Sequence, residues 1–318
     1  MRIALLTSGG DAPGMNAAIR AVVRTALYYE IEVYAVYDGY RGLVKNEFRK
    51  MDKKSVSEIL SKGGTILGTS RMESFLLKEV RQTAINNLKE RKIDCLIVIG
   101  GEGTFKGAND LNEMGFPTIG IPASIDNDIE GTDYSIGFHT ALNTVVEDID
   151  KLKDTSSSHQ RASVVETMGR YRGDLALYAG LSTGAEFIIT PEHPLNKDFI
   201  IESLKSHKKA GRRNAIIVIT EKILNVYDFA NEIAEKSGFA CRATVLGYVQ
   251  RGGSPVPQDR ILAGRMGAYA VECAKEGKKG IAIGVRHEDI VDYPFAEAFQ
   301  ERNFKKTKEL FDLVPKIS

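Results

Sequence analysis

Glycines and carboxylates follow two neighbouring apolar runs of the chain, and together they suit the transfer of a phosphoryl group. The run at 95–99 ends at 100–104 (Gly-Gly-Glu-Gly-Thr), and the run at 118–121 ends at a loop that carries Asp126 and Asp128. Glycine lets a backbone approach a ligand closely, and the free N–H groups at the start of a following helix attract an anion such as a phosphate. A phosphate cradle beside two carboxylates therefore predicts phosphoryl transfer.

The elements that must position these residues are buried parallel strands. A continuous apolar run followed by a glycine turn and a helix, here expected at about 105–114, is typical of a strand that delivers its loop to the carboxyl edge of a sheet. Open α/β sheets bind their ligands at that edge. Taken singly, the glycines can be only a turn and the acidic loop only a solvated loop, so the prediction depends on the two loops together.

A first glycine loop, at 8–16, and a third glycine-rich segment, at 63–71, precede this pair, whose own glycine turn at 100–104 is the second. The chain opens with a short strand, a loop at 8–16 and a helix whose apolar residues recur at helical spacing. On that helix Arg20 and Arg24 are four residues apart and project together, which indicates either a solvated face or an anion site. A further glycine-rich segment runs from Gly63 to Arg71. None of these loops is a Gly-x4-Gly-Lys-Ser/Thr or Gly-x-Gly-x-x-Gly motif.

Strands and helices alternate along the rest of the chain, which predicts parallel sheets covered by helices on both faces. So many strands would overfill one sheet. We therefore predict an α/β protein with two doubly wound parallel-sheet domains, closely packed because no linker separates them, and with the active site between them. A helix is predicted at 141–153, and a long helix at about 258–275. The predicted strands are 3–7, 31–37, 95–99, 118–121, 162–166, 186–190, 215–220, 242–246 and 280–285.

The 318 residues have the composition of a soluble globular protein, with 43% hydrophobic and 27% charged residues. A net charge of +1 gives no reason to expect nucleic acid or an anionic membrane as a partner. The three cysteines, at 95, 241 and 273, have no metal-type spacing and fit a reducing compartment, so we expect a cytoplasmic protein. No apolar run approaches the ~18–20 residues of a membrane span.

Five segments of the chain resemble those of the bacterial-type ATP-dependent 6-phosphofructokinases, in that family's order and spacing. The similarity covers essentially the whole chain and implies the phosphofructokinase fold and a homotetramer. It also implies a larger, ATP-binding domain at 1–137 plus 250–300, and a smaller, fructose 6-phosphate-binding domain at 138–249 plus 301–318. The matching segments are 7–16 (Thr-Ser-Gly-Gly-Asp-Ala-Pro-Gly-Met-Asn), 122–128 (Pro-Ala-Ser-Ile-Asp-Asn-Asp), 154–159 (Asp-Thr-Ser-Ser-Ser-His), 168–170 (Met-Gly-Arg) and 250–255 (Gln-Arg-Gly-Gly-Ser-Pro).

The resemblance implies that the γ-phosphoryl group of ATP is transferred to O1 of fructose 6-phosphate with Mg²⁺, the committed step of glycolysis, under allosteric control. By motif, Asp126 is then the base that accepts the sugar hydroxyl proton. Arg170 neutralises the transferring phosphoryl group, and Ser124 holds the sugar or the metal shell through its hydroxyl. Glu102 falls at the metal-binding position.

The resemblance also implies which residues contact each ligand. ATP is expected to contact Gly10, Arg71, Met72, Gly101, Glu102, Gly103 and Thr104. Fructose 6-phosphate is expected to contact Ser124, Ile125, Asp126, Met168, Gly169, Arg170, Glu221, Tyr248 and Arg251. From a neighbouring subunit, so that active sites are shared, we expect Arg161 and Arg242. A second site between subunits, for ADP as activator or phosphoenolpyruvate as inhibitor, is expected to use Arg20, Arg24, Lys53, Lys153, Glu186 and Arg212.

Several positions depart from the family's pattern. Glu102 stands where the family usually has aspartate, and its extra methylene would move an ion that demands near-octahedral geometry at ~2.1 Å, which predicts lowered turnover. Tyr248 replaces a histidine that helps to hold the sugar phosphate, which predicts weaker binding of that ligand. Lys53 and Lys153 keep the charge of the usual arginines but lose their bidentate geometry.

Two alternatives stand beside an ATP-dependent 6-phosphofructokinase. Pyrophosphate-dependent relatives usually carry aspartate at the position of Gly103 and lysine at that of Ala123, and the small residues here favour ATP. A regulatory paralogue with little catalysis is the other alternative, motivated by Glu102 and Tyr248. The run Gly-Gly-Glu-Gly-Thr is also similar to the phosphate loop of lipid and NAD kinases, but those lack the segments Ile-Asp-Asn-Asp and Gln-Arg-Gly-Gly-Ser-Pro.

Overall fold

The computed structural model of the protein describes residues 1–193, 196–300 and 305–317. The chain divides into two compact units, which are Met1–Thr140 with Arg251–Arg302, and Ala141–Gln250 with Asn303–Ser318. The parts of the predicted smaller domain that lie outside the described residues are 194–195, 301–304 and 318. No helix in the described ranges is both long enough and apolar enough to span a membrane.

The strands are β1 (Arg2–Ser8), β2 (Glu32–Val36), β3 (Phe48–Lys50), β4 (Cys95–Gly100), β5 (Thr118–Pro122), β6 (Arg161–Thr167), β7 (Phe187–Ile189), β8 (Ala215–Thr220), β9 (Ala240–Val245), β10 (Ile281–Arg286) and β11 (Asp289–Pro294). The helices are α1 (Met15–Tyr28), α2 (Gly39–Val44), α3 (Lys78–Glu90), α4 (Glu102–Glu113), α5 (Phe138–His159), α6 (Asp174–Thr183), α7 (Lys197–Lys209), α8 (Val226–Ser237), α9 (Pro257–Lys275), α10 (Phe295–Ala298) and α11 (Lys305–Ile317).

The first unit is built on a sheet with the strand order β11-β10-β5-β4-β1-β2-β3. Its inner strands are parallel, and the edge strands β3 and β11 run antiparallel to their neighbours. Strand β4 lies at the centre and is buried along its whole length, since neighbouring strands and covering helices leave it no side facing water. A Cβ atom on Gly120 would lie 2.7 Å from the rings of Phe105 and Phe295, so glycine at this point of β5 makes room for both.

Helices α1 and α9 pack directly on each other in the first unit. A Cβ atom on Gly267 of α9 would lie 2.7 Å from that of Ala21 and 3.1 Å from the carbonyl oxygen of Ala18, so the glycine permits this close approach. The apolar face of α1 is buried, as its helical spacing predicts, and Arg20 and Arg24 are half-buried. The first glycine loop is thus followed by a helix that is anchored along its length.

The second unit is built on a parallel sheet with the strand order β7-β8-β6-β9. One face of this sheet carries a core of apolar side chains from the strands and from α7 and α8, which includes Val164, Ile217, Leu204, Phe229 and Ile233. These side chains are buried, so apolar packing holds α7 and α8 against the sheet.

The sequence predictions of strands and of two parallel sheets are confirmed, with three corrections. The edge strands β3 and β11 were not predicted, because one is only three residues long and the other alternates with polar residues. Helix α5 is longer than the predicted 141–153, so the segment at 154–159 is helical. Helix α4 begins at Glu102 rather than near 105, because Gly101 is extended and ends the strand abruptly.

Candidate active site

The first glycine loop follows β1 and is closed on one side by an arginine. Gly9 has a φ of +85°, a conformation that residues with a side chain rarely adopt. A Cβ atom on Gly10 would lie 3.0 Å from Nη1 of Arg251 and 3.3 Å from its Cζ. The backbone of Gly10 therefore packs against the guanidinium group of Arg251. Gly10 is a predicted contact of ATP and Arg251 a predicted contact of fructose 6-phosphate, so predicted contacts of the two ligands touch each other.

The second glycine turn leads straight into α4. The predicted ATP contacts Glu102, Gly103 and Thr104 form the first turn of this helix, and no side chain among the described residues caps it. Thr104 Oγ1 donates to the carbonyl oxygen of Ser8 at 3.0 Å, which ties the helix start to the end of β1. An uncapped helix start offers backbone N–H groups and the positive end of the helix dipole to an anion. This turn has the chemistry of a phosphate site.

A buried tyrosine holds the same turn in place. The hydroxyl of Tyr40 donates to the carbonyl oxygen of Thr104 at 2.5 Å, and burial raises the pKa of Tyr40 well above its ordinary value, so it remains a donor. Its ring stacks on that of Phe75 with centroids 4.2 Å apart. A Cβ atom on Gly107 would lie 2.8 Å from the Tyr40 ring, so α4 approaches the tyrosine closely. Tyr40 thus holds the first turn of α4 in place.

The carboxylate loop after β5 is held by its own side chains. Ser124 Oγ donates to Oδ1 of Asp128 at 2.8 Å and accepts from the N–H of Asp126 at 3.3 Å. Asn127 has a φ of +51°, and its Oδ1 accepts from the N–H of Ser135 at 3.0 Å. Because Ser124 gives its proton to Asp128, the hydroxyl positions the loop, and only a lone pair is left for a ligand.

The two loops lie at the same edge of one sheet. Strands β4 and β5 pair in parallel with Gly100 opposite Pro122, so the helix start and the carboxylate loop leave neighbouring strands at their carboxyl ends. The structure therefore brings the predicted ATP contacts and the predicted base Asp126 to the edge where open α/β sheets bind ligands. The predicted contact Ile125 is buried in that loop, as is Ala123, which precedes it by two residues.

The donor set at this edge fits a magnesium ion that arrives with a nucleotide. Across 1–193, 196–300 and 305–317, no group of three or more His, Cys, Asp or Glu side chains could hold an ion by itself. Mg²⁺ is commonly held by one or two carboxylates together with substrate phosphates, and Glu102 at the helix start is such an oxygen donor. Its Oε1 lies 2.5 Å from Nζ of Lys106 one turn along α4, so Glu102 would exchange this ion pair for the metal.

In the second unit the predicted contacts after β6 and β8 are joined by hydrogen bonds. The N–H of Met168 donates to Oε1 of Gln250 at 3.1 Å, and the N–H of Arg170 donates to Oε1 of Glu221 at 2.9 Å. Gly169 has a φ of +149°, and a Cβ atom there would lie 2.3 Å from a carbonyl oxygen, so only glycine fits. The predicted sugar contacts Met168, Gly169, Arg170 and Glu221 therefore form one connected group.

A second carboxyl group stands close to this cluster. Burial, and then the charge of Glu221, raise the pKa of Glu166 above its ordinary value. The Glu166 side chain is half-buried near the carboxyl end of β6. A negative potential from two carboxylates favours hydroxyl groups and cations over anions at this place, which suits contact with sugar hydroxyls.

Two predicted arginines lie at the opposite edge of the same sheet. Arg161 is the first residue of β6, and Arg242 is near the start of β9, where it pairs with Ser163. Arg161 and Thr167 are at opposite ends of β6 and about 20 Å apart at the rise of an extended strand. The structure therefore separates these arginines from Glu221 of the same chain.

Three of the predicted effector residues belong to this unit and lie towards the same amino edge. Nη1 of Arg212 is 3.5 Å from Oε1 of Glu186, whose Oε2 accepts from the N–H of Ile216 at 2.6 Å. Lys153 Nζ donates to the carbonyl oxygen of Thr183 at the end of α6. Glu186 and Arg212 line a cavity of about 570 Å³ whose other walls include Phe187, Phe199, His207 and Phe311.

The other predicted effector residues are in the first unit. Nη2 of Arg24 donates to the carbonyl oxygen of Lys53 at 3.2 Å, so two of them touch. Nε of Arg24 is buried, and it has no hydrogen-bond partner among the residues that the structure describes. Arg20 lies one turn away on the same face of α1. A buried donor without a partner is a ready contact for an anion.

Arg71 and Tyr248 are among the predicted contacts that are exposed to solvent. Arg71 is exposed at the end of the third glycine-rich segment. Tyr248 is 78% exposed in a short 3-10 helix at Gly247–Arg251. Met72, which follows Arg71, packs against the core of the first unit. The surroundings of Arg71, Met72 and Tyr248 do not test whether these residues bind a ligand, so their roles stay predictions.

The predictions left out several residues that hold the site together. Each has a side-chain amide or hydroxyl group that bonds the backbone of another part of the chain, and they are Asn16, Tyr40, Asn127 and Gln250. Motif membership was the one available signal, and it applies to Asn16, Asn127 and Gln250.

The sequence and the structure of this chain are similar to those of known phosphofructokinases. The phosphofructokinase family model matches residues 2–274. The ATP-dependent 6-phosphofructokinase of Teredinibacter turnerae is 49% identical over 316 residues, which cover 99% of each chain. The structure of phosphofructokinase from Saccharomyces cerevisiae matches with a TM-score of 0.86 and 37% identity over 99% of this chain and 47% of that one, so the chain spans about half the length of that relative.

A pyrophosphate-dependent phosphofructokinase from Marinobacter aquaeolei also matches, with a TM-score of 0.85 and 20% identity over 99% of this chain and 91% of that one. At this identity the likeness shows a shared fold alone. The fold is therefore common to enzymes with different phosphoryl donors.

Proposed function

The chain belongs to the phosphofructokinase family, and from this premise we propose that it transfers the γ-phosphoryl group of ATP to O1 of fructose 6-phosphate. The observation that carries the proposal is the pairing of β4 with β5, which sets the uncapped start of α4 beside the loop of Asp126. An anion cradle next to a carboxylate base is what in-line transfer to a hydroxyl requires.

Each group has a separate part in the proposed reaction. Asp126 accepts the proton from the sugar hydroxyl as it attacks, and the first turn of α4 holds the phosphates of the donor. Arg170 neutralises the transferring group. Glu102 would hold Mg²⁺, which when bound neutralises charge on the donor phosphates. The chain's own contribution is position and charge rather than a covalent intermediate.

Open space at the first turn of α4 favours ATP over pyrophosphate as the phosphoryl donor. A Cβ atom on Gly103 would have no atom of the described residues within 4 Å, and Ala123 is small and neutral. An aspartate and a lysine at these two positions would place charge where a further nucleotide phosphate lies. The small residues leave that place open, which supports a nucleotide donor.

We further propose a homotetramer in which sites are shared. Arg161 and Arg242 lie at the amino edge of their sheet, a strand's length from Glu221, so a role in sugar phosphate binding requires another copy of the chain. We assign the predicted effector residues, among them Arg24 with its buried Nε donor, to an anionic effector such as ADP or phosphoenolpyruvate. The three cysteines are free and buried, which fits a reducing cytoplasm.

A low-activity regulatory paralogue is the second candidate, and one observation favours it. The ion pair of Glu102 with Lys106, at 2.5 Å, competes with metal binding. If this pair and the longer side chain weaken the metal site, turnover is near zero in the wild type and rises in Glu102→Asp, whose shorter side chain draws back from Lys106. A wild-type enzyme that loses activity in Glu102→Asp excludes this candidate.

A coupled assay for fructose 1,6-bisphosphate tests the proposal. ATP with Mg²⁺ and pyrophosphate with Mg²⁺ are each supplied over a range of fructose 6-phosphate concentrations. We expect turnover with ATP and none with pyrophosphate, and an Asp126→Asn variant should lose at least about 10²-fold in kcat with its substrate KM values retained. Turnover with pyrophosphate alone contradicts the choice of donor. Full activity in Asp126→Asn contradicts the assignment of the base.

A further inference from the structure

An asparagine holds the glycine-rich segment at 62–66, which has no regular secondary structure. Shielded backbone groups outside helices and strands need partners from side chains. Asn16, in the first turn of α1 and 1% exposed, supplies them. Its Nδ2 donates to the carbonyl oxygens of Lys62 at 3.1 Å and Gly63 at 3.0 Å, and its Oδ1 accepts from the N–H of Ile66 at 2.8 Å.

The same segment is attached further along to the first glycine loop. The hydroxyl groups of Thr65 and Thr7 are 2.8 Å apart and hydrogen-bonded. Thr69 Oγ1 donates to the carbonyl oxygen of Gly9 at 2.6 Å. Arg71 follows two residues later. Asn16 therefore holds the start of this segment. The end of the segment lies beside the first glycine loop, so the predicted nucleotide contacts Arg71 and Gly10 come from neighbouring stretches of backbone.

Asn16 also shares a face of α1 with two predicted effector residues. Asn16, Arg20 and Arg24 are successive members of an i, i+4, i+8 series, so their side chains leave the helix on one side. At the far end of this series Arg24 bonds the backbone of Lys53 at 3.2 Å. The stretch at 53–66 is thus attached at both ends to one face of a rigid helix.

We propose that Asn16 is a positioning residue of the nucleotide site. Its amide sets the backbone of 62–66, and through Thr69 this sets the first glycine loop and Arg71, while the Asn16 side chain touches no ligand itself. The role suits asparagine, because the planar amide offers two donors and one acceptor to three backbone groups at once. The proposal rests on the proposed function only in taking Gly10 and Arg71 as nucleotide contacts.

Asn16→Asp tests the proposal, with Asn87→Asp as a matched control. Asn87 likewise donates through Nδ2 to two carbonyl oxygens, those of Leu43 and Val44, both at 2.9 Å. Both variants keep the side-chain shape, lose two amide donors and set a carboxylate oxygen against two carbonyls. Any unspecific loss of stability is therefore shared, and thermal unfolding of both variants measures it.

The expected difference is in ATP kinetics. In Asn16→Asp we expect kcat/KM for ATP to fall by about 10- to 100-fold, because misplacement of a contact by about 1 Å is enough for such a loss. The KM for fructose 6-phosphate should change less than that for ATP, because Asn16 reaches Arg251 only through the contact of Gly10 with its guanidinium. Asn87→Asp should change neither constant by more than about twofold. Equal effects of the two variants on ATP overturn the proposal, since Asn16 is then only a structural residue.

Two further measurements keep the test decisive. If Asn16→Asp does not fold, Thr69→Val cuts only the bond to Gly9, and an unchanged KM for ATP in that variant overturns the proposal. Calorimetric binding of ATP with Mg²⁺ in the absence of sugar phosphate separates this inference from the proposed function. If the wild type binds ATP but does not phosphorylate the sugar, the proposed function is contradicted. Weaker ATP binding in Asn16→Asp would still support the positioning role in that case. Equal binding by both overturns it.

Discussion

Replacing Gly10 by alanine tests the role of Arg251, because the added methyl group points at its guanidinium. The new Cβ atom would lie 3.0 Å from Nη1 and 3.3 Å from Cζ. Carbon and nitrogen atoms in ordinary contact are about 3.5 Å apart, so the guanidinium has to withdraw by roughly 0.5 Å. A bond from a charged donor to a phosphate is worth about 1.5–3 kcal/mol, so losing one of two means a 10- to 100-fold loss of affinity.

The substitution leaves the fold intact, which makes the kinetic effect interpretable. Gly10 is not among the residues with positive φ, so alanine adopts its backbone without strain. Gly264 in α9 offers a control, because its φ is also ordinary and a Cβ atom there would lie more than 4 Å from every other part of the chain that the structure describes. Gly264→Ala should stabilise the helix by up to about 1 kcal/mol and leave both KM values unchanged.

Initial rates with each substrate varied separately provide the assay. In Gly10→Ala we expect the KM for fructose 6-phosphate to rise about tenfold or more, with a smaller change for ATP, because the methyl group faces Arg251 rather than open solvent. An unchanged KM for fructose 6-phosphate refutes the assignment of Arg251 to the sugar phosphate. A rise confined to the KM for ATP refutes it as well, and assigns the contact of Gly10 with Arg251 to the nucleotide.

Three further predictions concern stability, assembly and pH. Asp259→Ala removes the carboxylate that accepts from two N–H groups and one hydroxyl at the start of α5, and urea unfolding should show a loss of about 3–5 kcal/mol; a loss under about 1 kcal/mol contradicts this role. Inactive Asp126→Ala and Arg161→Ala chains, unfolded and refolded together in equal amounts, should regain about one quarter of wild-type activity if sites are shared, and none if each chain serves its own site. Burial, and then the charge of Arg212, lower the pKa of His207 below 6.5, so an NMR titration should show a rise in Arg212→Gln, and a fall or no change contradicts the assignment. Because the unfolded chain binds that proton more tightly, the contribution of His207 to stability is lost as the pH drops from 6.5 through the lowered pKa.

Sequence pattern predicted the inner strands well because burial on both faces leaves little choice of residue. β4 and β8 are continuous apolar runs, and their bounds were predicted within one residue. The antiparallel edges β3 and β11 escaped prediction, because an edge strand is half exposed and needs no apolar run. Their position depends on a neighbouring strand, which a local pattern does not contain.

The sequence could name the groups proposed to do the chemistry of the candidate site, but not the groups that hold them in place. Motifs named Asp126 and Glu102 because these carboxylates have a recognisable place after a strand. Asn16 lies in a resembling segment as well, yet its partners are backbone groups 46 to 50 residues further on. Every residue carries the same backbone groups, so a sequence does not show which of them a side chain will bond. The role of such a residue can be recognised only when the fold places the loop beside it.

In the second unit, the residues predicted to bind sugar phosphate lie at two opposite edges of one sheet. Arg170 and Glu221 leave the carboxyl ends of β6 and β8, whereas Arg161 and Arg242 stand at the amino ends of β6 and β9. A strand is rigid over this length, so no side-chain movement brings both groups to one ligand. If both bind sugar phosphate, each strand serves two different molecules of it, one in its own chain and one in a neighbour. The arginine variants would then silence the site of another copy, which is why mixed chains rather than single variants decide the question.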